Sequence, residues 1–388
     1  MNNNNLKFLR SLHGRIHEQR LNAEYKLQTD SKSAQGYLKS FRNEKNEGTE
    51  DYPVDFVVLW VDGNDPEWQK EKDLYLPNDE NIKKSNSSAR FRDWEIFKYW
   101  FRAVEKYAPW VRNVYLVTWG HVPEFINLES PKLKFVKHSD FMPQEYLPTF
   151  SCFPTELNLW RIDGISEHIV YFNDDMFLTK PVEKSDFFSN GLPKYSAVAE
   201  PVYPYYHMTA WRHNLFNTAG VANDIFDIRA CISENSDKWF SHLYTKQERE
   251  LNHRVFMDQK IMGMHFSHLG VPYRCSTMRQ VWERIPDRLD STCKNRFRTM
   301  DDVFHQIFQM WEIFNGTFDA VGTLYYGRFV NVSKDNADHV KKDMLSHKYR
   351  MMCLNDSEIV SDDDYYELKD KFQSAFETLF PEKSSFEK

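Results

Sequence analysis

No stretch of this 388-residue chain approaches about 18 consecutive apolar residues, the length a membrane-spanning helix needs. The amino terminus, Met1-Asn2-Asn3-Asn4-Asn5, lacks the apolar core of a secretory signal. Cysteine is scarce. Cys152, Cys231, Cys275, Cys293 and Cys353 are odd in number, widely scattered, and form no C-x-x-C pair. That spacing fits reduced thiols in a cytosolic protein better than a disulfide framework or a zinc site. There is no G-x-x-x-x-G-K-[ST] loop, no G-x-G-x-x-G and no internal repeat, so P-loop, dinucleotide-fingerprint and solenoid readings fall away. Excess positive charge is missing too, and a formal net charge of −7 argues against nucleic-acid binding by overall basicity. The expectation is a soluble, cytoplasmic protein.

What is present points to an enzyme-sized α/β protein. A chain of 388 residues is long for one core, and 41% hydrophobic with 16% aromatic residues is ample to bury one. Leu6, Leu9, Leu12, Ile16 and Leu21 recur among basic residues. That spacing fits a helix with an apolar stripe and a cationic face, for packing or for contact with a membrane surface. Residues 29–51 are polar and read as a linker, so residues 1–50 form an arm and 51–388 a catalytic domain. Within it, the sheet part is expected at about 51–205 and a helix-rich part at about 206–388.

The body opens with Val54 to Val61, the most continuous apolar run, which ends in Asp62-Gly63-Asn64-Asp65-Pro66. A run of this kind stopping at an Asp-Gly turn reads as a central strand. Leu74 to Ser88 reads as a loop. Trp94, Phe97, Phe101, Val104 and Ala108 then recur at helical spacing within Arg92–Ala108, before Pro109. Val114–Thr118 and Lys134–Val136 read as further strands, and Tyr195–Glu200 as another. Strand, helix, strand implies a mostly parallel sheet flanked by helices. Helices are expected at 251–263, 277–289, 302–315 and 363–379.

The chemistry centres on His168-Ile169-Val170-Tyr171-Phe172-Asn173-Asp174-Asp175. An apolar run leads directly into an amide and two adjacent carboxylates, at the strand end where open α/β sheets bind ligands. Adjacent carboxylates repel unless a cation or proton lies between them, and hard oxygen donors suit Mg²⁺ or Mn²⁺. An Asn-Asp turn with only a local role has the same residues.

Several blocks, in order, resemble one family. Phe56–Trp68 reads FVVLWVDGNDPEW, Ala89–Thr118 reads ARFRDWEIFKYWFRAVEKYAPWVRNVYLVT, and Leu147–Leu178 reads LPTFSCFPTELNLWRIDGISEHIVYFNDDMFL. His268–Phe304 follows, with Cys353-Leu354-Asn355-Asp356 near the end. Over roughly residues 54–380 the chain resembles the Stealth family of capsular and exopolysaccharide sugar-1-phosphate transferases. That family includes the catalytic part of the animal N-acetylglucosamine-1-phosphotransferase. The resemblance implies a GT-A-like, Rossmann-like fold and a UDP-sugar donor. It also implies transfer of sugar-1-phosphate to a hydroxyl of a capsular polysaccharide or lipid-linked saccharide, with release of UMP. A membrane contact would then fall to the N-terminal arm, at the inner face of the membrane.

Asn173, Asp174 and Asp175 match the family's Asn-Asp-Asp block and are the expected metal ligands. His268 matches a family histidine, and its pKa suits a general base, with Asp175 as the rival base. Arg298 matches a family arginine and can hold phosphate oxygens in a planar fork; Arg296 alternates with it. Asp302, at i+4, could orient Arg298 on a helix. Arg90 and Arg92 are expected to open a helix, where cations do not favour the dipole, so an anion such as phosphate would explain them. Asp62 matches the first block and is assigned to the donor, and Asn217 is a further substrate-binding candidate. A glycosyltransferase releasing UDP and a non-catalytic capsule-assembly protein are the alternatives.

Overall fold

Val54–Leu59 is apolar apart from Asp55 and forms strand β1, whose side chains are buried on both faces. The computed structural model containing it describes residues 52–78, 82, 92, 94–203, 209–356, 360 and 362–388, the first two of the last range by backbone alone. All of them belong to the unit Thr49–Lys388. The expected arm helix and Arg90 lie outside the described residues.

The central sheet has the order β3-β2-β1-β4-β8. Strands β2 (Val114–Thr118), β3 (Leu133–Lys137) and β4 (His168–Asn173) are parallel to β1. An edge strand, β8 (Val271–Arg274), runs antiparallel to β4. The chain moves outward from β1 through β2 to β3, then returns to the far side of β1 as β4. The order therefore reverses between β1 and β4, and an open parallel sheet forms its ligand crevice at such a point. Leu59 pairs with Asn173, so the carboxyl ends of the two strands are level.

The opposite ends are clamped by a buried charge. Asp55 is fully buried; its carboxylate accepts from Arg112 Nε at 2.8 Å and from Arg112 Nη2, from the Ser166 N–H at 2.8 Å and from the Asn113 N–H at 3.1 Å. Ser166 stands two residues before β4, so one carboxylate holds the starts of three neighbouring strands. Leaving such a group unpaired is costly, which makes this register hard to shift.

Helix Phe97–Tyr107 packs its apolar side, including Trp100, Phe101 and Val104, into the core. It begins five residues after Arg92, which therefore lies outside the helix that it was expected to open. Helix Pro66–Tyr75 was not anticipated, because Asp62–Pro66 read as a turn. Its start signal was nevertheless present: the Asp65 carboxylate accepts from the N–H groups of Glu67 and Trp68 at 2.9 and 3.0 Å, and Pro66 occupies the first turn.

The second half is helical at Ala210–Ile225, Lys246–Asp258, Cys275–Arg284, Pro286–Cys293, Gln306–Phe314, Lys334–Leu345 and Asp362–Leu379. The single helix expected over 277–289 is broken where Pro286 starts a new one. The helix expected at 251–263 starts earlier, at a capping box in which Thr245 and Glu248 cap each other's N–H groups, and stops at Gln259, whose φ is 58°. The second half also supplies strands that the helix-rich reading left out. One is β8 itself. The others are β9 (Asp319–Ala320), β10 (Gly327–Asn331) and β11 (Met351–Asn355). The strand expected at 195–200 does not form; the strand there, β7 (Leu192–Tyr195), ends at Tyr195 in a small sheet between β6 (Phe188–Ser189) and β9, and beyond it Ala199 makes only an isolated bridge to Met264.

Strand β11 pairs in parallel with β10 and antiparallel with β5 (Met176–Leu178). Only Asp174 and Asp175 separate β4 from β5, so the chain passes from the central sheet to this second sheet across two carboxylates. Gly270, just before β8, sits where the two sheets meet: a Cβ there would lie 2.8 Å from Phe172 Cζ and 2.9 Å from Met351 Sδ. Gly270→Ala should therefore destabilise the fold by about 1–3 kcal/mol through overpacking. The check is a lower urea midpoint with unchanged slope; an unchanged midpoint would show that Phe172 and Met351 yield at no cost.

Candidate active site

A cleft of ≈ 850 Å³ opens over the carboxyl ends of β1 and β4. Asn173, Asp174 and Asp175 line it beside Leu59, Trp60 and Val61 at the end of β1. Trp119 and His138, just past β2 and β3, line it too. Its other walls come from far along the chain: Trp211 and Arg212, Phe266 to His268, Arg298, His305, Phe329 and Leu354 to Asp356. The β5–β11 pairing brings the last of these in. Met176 is opposite Cys353, and the Leu354 N–H donates to the Asp175 carbonyl at 2.9 Å.

Asp175 is held from one side only. Its Oδ2 accepts from Cys353 Sγ at 3.2 Å, whereas its buried Oδ1 has no hydrogen-bond partner. A buried carboxylate oxygen without a donor is costly, and a cation would satisfy it. One donor atom each of Asp175, His268 and Cys353 lie within 4.8 Å of one another.

His268 takes a left-handed backbone, φ 46°, a conformation that concentrates at functional sites in residues other than glycine. Its ring packs among Trp211, Phe266 and Phe329. Burial pushes its pKa below the ordinary value, and the charges of Asp175 and Glu156 oppose that shift without overcoming it. The imidazole is therefore neutral at neutral pH, with a lone pair to offer. The Arg298 guanidinium stacks on Phe153 at 4.3 Å and donates to Cys152 Sγ at 3.4 Å. Among the described residues no carboxylate forms an ion pair with it.

Beneath these groups lies a polar network that the sequence reading did not assign. Glu156, on helix Cys152–Asn158, is 2% exposed. It accepts from the Tyr171 hydroxyl at 2.7 Å, and its Oε2 lies 3.8 Å from His305 Nε2. Tyr171 also meets Asn173 Oδ1, and Tyr273 bonds His305 Nδ1 at 2.5 Å. The available signal was Glu156 as the lone charge within Cys152–Leu159. The Cys152 thiol is pushed up to about 12 by burial and secondarily by Glu156, so it is a protonated packing group. None of the five cysteines forms a disulfide.

The structure thus brings Asn173, Asp174, Asp175, His268, Arg298 and Arg92 to one cleft. Arg92 arrives already paired: it grips Asp356 in two bonds of 2.8 and 2.9 Å, and Trp94 Nε1 donates to the same carboxylate at 3.1 Å. The other candidates do not line the cleft. Asp62 caps its own turn, accepting from the Asn64 N–H at 2.9 Å. Arg296 lies over Tyr75 at 4.7 Å and reaches the Leu147 carbonyl at 3.4 Å. Residues 295–302 are not helical, so Asp302 does not meet Arg298 by helical spacing. It accepts instead from the Thr299 N–H at 2.7 Å, from Thr299 Oγ1 at 2.9 Å and from Asn295 at 2.7 Å. Asn217 donates to the Met300 carbonyl at 2.7 Å and braces the same loop. Asp302 and Asn217 therefore shape the segment that carries Arg298.

Family models match at two places: Stealth protein CR1, conserved region 1, over residues 52–80, and Stealth protein CR2, conserved region 2, over 90–195. The capsular polysaccharide phosphotransferase WcwK of Streptococcus pneumoniae is 37% identical over 335 residues, 86% of this chain and 99% of that one. The chain belongs to the Stealth family. Other relatives of this Stealth protein agree. The receptor polysaccharide phosphotransferase WefC of Streptococcus gordonii is 38% identical over 336 residues, 86% of this chain and 98% of that one. The exopolysaccharide phosphotransferase cps2G of Lactiplantibacillus plantarum is 35% identical over 341 residues, 87% and 97% of the two chains. The Stealth protein is accordingly a polysaccharide phosphotransferase-type enzyme. Among its described residues no helix is long and apolar enough to cross a membrane.

Burial also makes the cleft acid-sensitive. The pKa of His138 falls from 6.5 to about 4, chiefly by burial and then through His121; its Nδ1 is buried without a partner. A histidine whose folded-state pKa lies below its unfolded value contributes stability that is complete above pH 6.5 and is lost as pH falls toward about 4. The urea midpoint should drop across that window, and the drop should be shallower for His138→Asn. Identical pH profiles for the two proteins would remove His138 as a cause.

Proposed function

We propose that this Stealth protein moves a hexose-1-phosphate, such as an N-acetylhexosamine-1-phosphate, from a UDP-sugar to a sugar hydroxyl. The acceptor is a capsular or exopolysaccharide chain or its lipid-linked precursor, and the products are a phosphodiester and UMP. The observation that carries this reading is the meeting, in one cleft, of paired carboxylates, a neutral histidine and an arginine with no carboxylate partner among the described residues. Phosphoryl transfer needs these three things: charge neutralisation, a proton acceptor and a clamp on the transferred group. The names of the relatives, all polysaccharide phosphotransferases, support it.

The orphaned, buried Oδ1 of Asp175 fits a cation site. Asn173, Asp174 and Asp175 would hold Mg²⁺ (or Mn²⁺), which when bound screens the diphosphate and favours departure of UMP. His268 takes the proton of the acceptor hydroxyl. It is preferred over Asp175, whose Oδ2 already accepts from Cys353 and whose other oxygen, buried without a partner, would be taken by the cation. Arg298, backed by Phe153 and steadied by the Asp302 and Asn217 loop, donates to the non-bridging phosphate oxygens. Contact of the N-terminal arm with the inner face of the membrane would bring the enzyme to a lipid-linked acceptor.

The test is a nucleotide assay with purified protein, Mg²⁺, a panel of UDP-sugars and capsule fragments. UMP that appears only with both acceptor and metal is expected, and UDP would move the reading to a glycosyltransferase on the same fold. Asp174→Ala should abolish turnover while the protein stays folded by circular dichroism. His268→Ala should lower kcat by about 10²–10⁴-fold, the contribution of a general base. A near-normal rate for either variant would take that residue out of the mechanism.

A further inference from the structure

We propose that Asp175, His268 and Cys353 form a second metal site in the cleft, suited to a borderline-soft divalent ion such as Zn²⁺, and that an ion held there blocks catalysis. The binding claim rests on the geometry alone; the blocking claim rests also on the roles given above to Asp175 and His268.

One carboxylate oxygen, one imidazole nitrogen and one sulfur within 4.8 Å of each other is the donor set of an open zinc site, with three protein ligands and a fourth position left for solvent. A tetrahedral ion with Zn–S of about 2.3 Å and Zn–O of about 2.0 Å sets its sulfur and oxygen ligands roughly 3.5 Å apart. Cys353 Sγ and Asp175 Oδ2 already lie 3.2 Å apart. The wider pairs need closure of at most about 1.5 Å to reach that geometry. No hydrogen bond among the described residues holds the His268 ring against such a movement. The backbone under the other two ligands is rigid, because Cys353 lies opposite Met176 in the β5–β11 ladder and the Leu354 N–H bonds the Asp175 carbonyl.

Softness separates this site from the proposed hard-ion site. Mg²⁺ takes oxygen donors and leaves a thiol alone, whereas Zn²⁺ prefers sulfur and imidazole. Binding breaks the Cys353 S–H bond and forms a Zn–S bond, and the proton leaves to solvent. His268 offers its lone pair. Asp175 belongs to both sites, so the two ions compete; and with its lone pair engaged, His268 has none left for an acceptor proton. The scattered cysteines gave no sign of such a site, because its three ligands come from segments that only the fold unites.

The experiment uses the full chain, stripped of metal and titrated with Co²⁺ as an optical probe. Expected are one Co²⁺ per chain, a near-ultraviolet thiolate-to-cobalt absorption, and loss of the band on adding Zn²⁺. Cys353→Ser and Cys353→Ala should both lack the band, and His268→Gln should keep it but with at least about tenfold weaker binding. Cobalt binding without the band in the wild type, or a band that persists in a folded Cys353 variant, overturns the site. In the nucleotide assay, Zn²⁺ should inhibit the wild type at concentrations at least about tenfold lower than those needed for Cys353→Ser. Equal sensitivity would overturn the blocking claim. Loss of the proposed reaction with the band intact would count against the function and leave the site standing.

Discussion

Everything at the cleft depends on the parallel pairing of β1 with β4 and on the turn that follows. Leu59 stands beside Asn173, and three residues later the chain is already in β5, bonded to β11. The backbones of Asp174 and Asp175 are fixed between strands of two different sheets. The buried Asp55–Arg112 clamp at the other end of β1 stops the register from sliding. A one-residue slip would send these side chains to the opposite face. The fold thus concentrates negative charge at one point, which is why the proposed cation is assigned there.

Burial sets the protonation states around that point. His121, His138, His268 and His305 all have pKa values lowered chiefly by loss of solvent. The Cys152 and Cys353 thiols are shifted upward by the same cause. The cleft therefore offers neutral imidazoles and protonated thiols, and its positive charge comes from arginine. A neutral imidazole beside a carboxylate pair is a proton acceptor, not an electrostatic clamp. In the proposed reaction that gives proton transfer to His268 and the phosphate charge to Arg298.

Much of the central sheet was legible in the sequence, because buried parallel strands read as continuous apolar runs: Val54–Leu59, Val114–Thr118 and His168–Asn173 needed no context. The Asn-Asp-Asp trio, His268 and Arg298 stood out through the order of the family blocks, and the fold gathers them. What could not be read was pairing at long range. Nothing local in Met351–Asn355 announces that it will lie against Met176–Leu178, so Cys353 had no partner on paper. Asp302 failed for a different reason. An i+4 spacing orients a neighbour only on a helix, and here the segment is a loop in which the same carboxylate has closer N–H groups to accept from. Glu156 was passed over because a single carboxylate in an apolar helix carries no motif; its meaning lies in Tyr171 and His305, which the chain brings from 15 residues away and from the far half.

Arg92 shows how geometry changes an assignment without moving the residue. Its position ahead of a helix looked like a demand for an anion, and the anion is there: Asp356, held in a two-bond fork with Trp94 as a third donor. For Arg92 to grasp a donor phosphate it would have to release Asp356. That would leave a partly buried carboxylate beside incoming negative charge, a loss comparable to breaking a buried ion pair. Arg298 has no such prior commitment, since its guanidinium rests on an aromatic face and a neutral thiol. Binding a phosphate there replaces weak contacts with charge-assisted hydrogen bonds. The two arginines line the same cleft, but only Arg298 would gain by meeting the phosphate of the proposed reaction; Arg92 ties the end of β11 to the entry of helix Phe97–Tyr107.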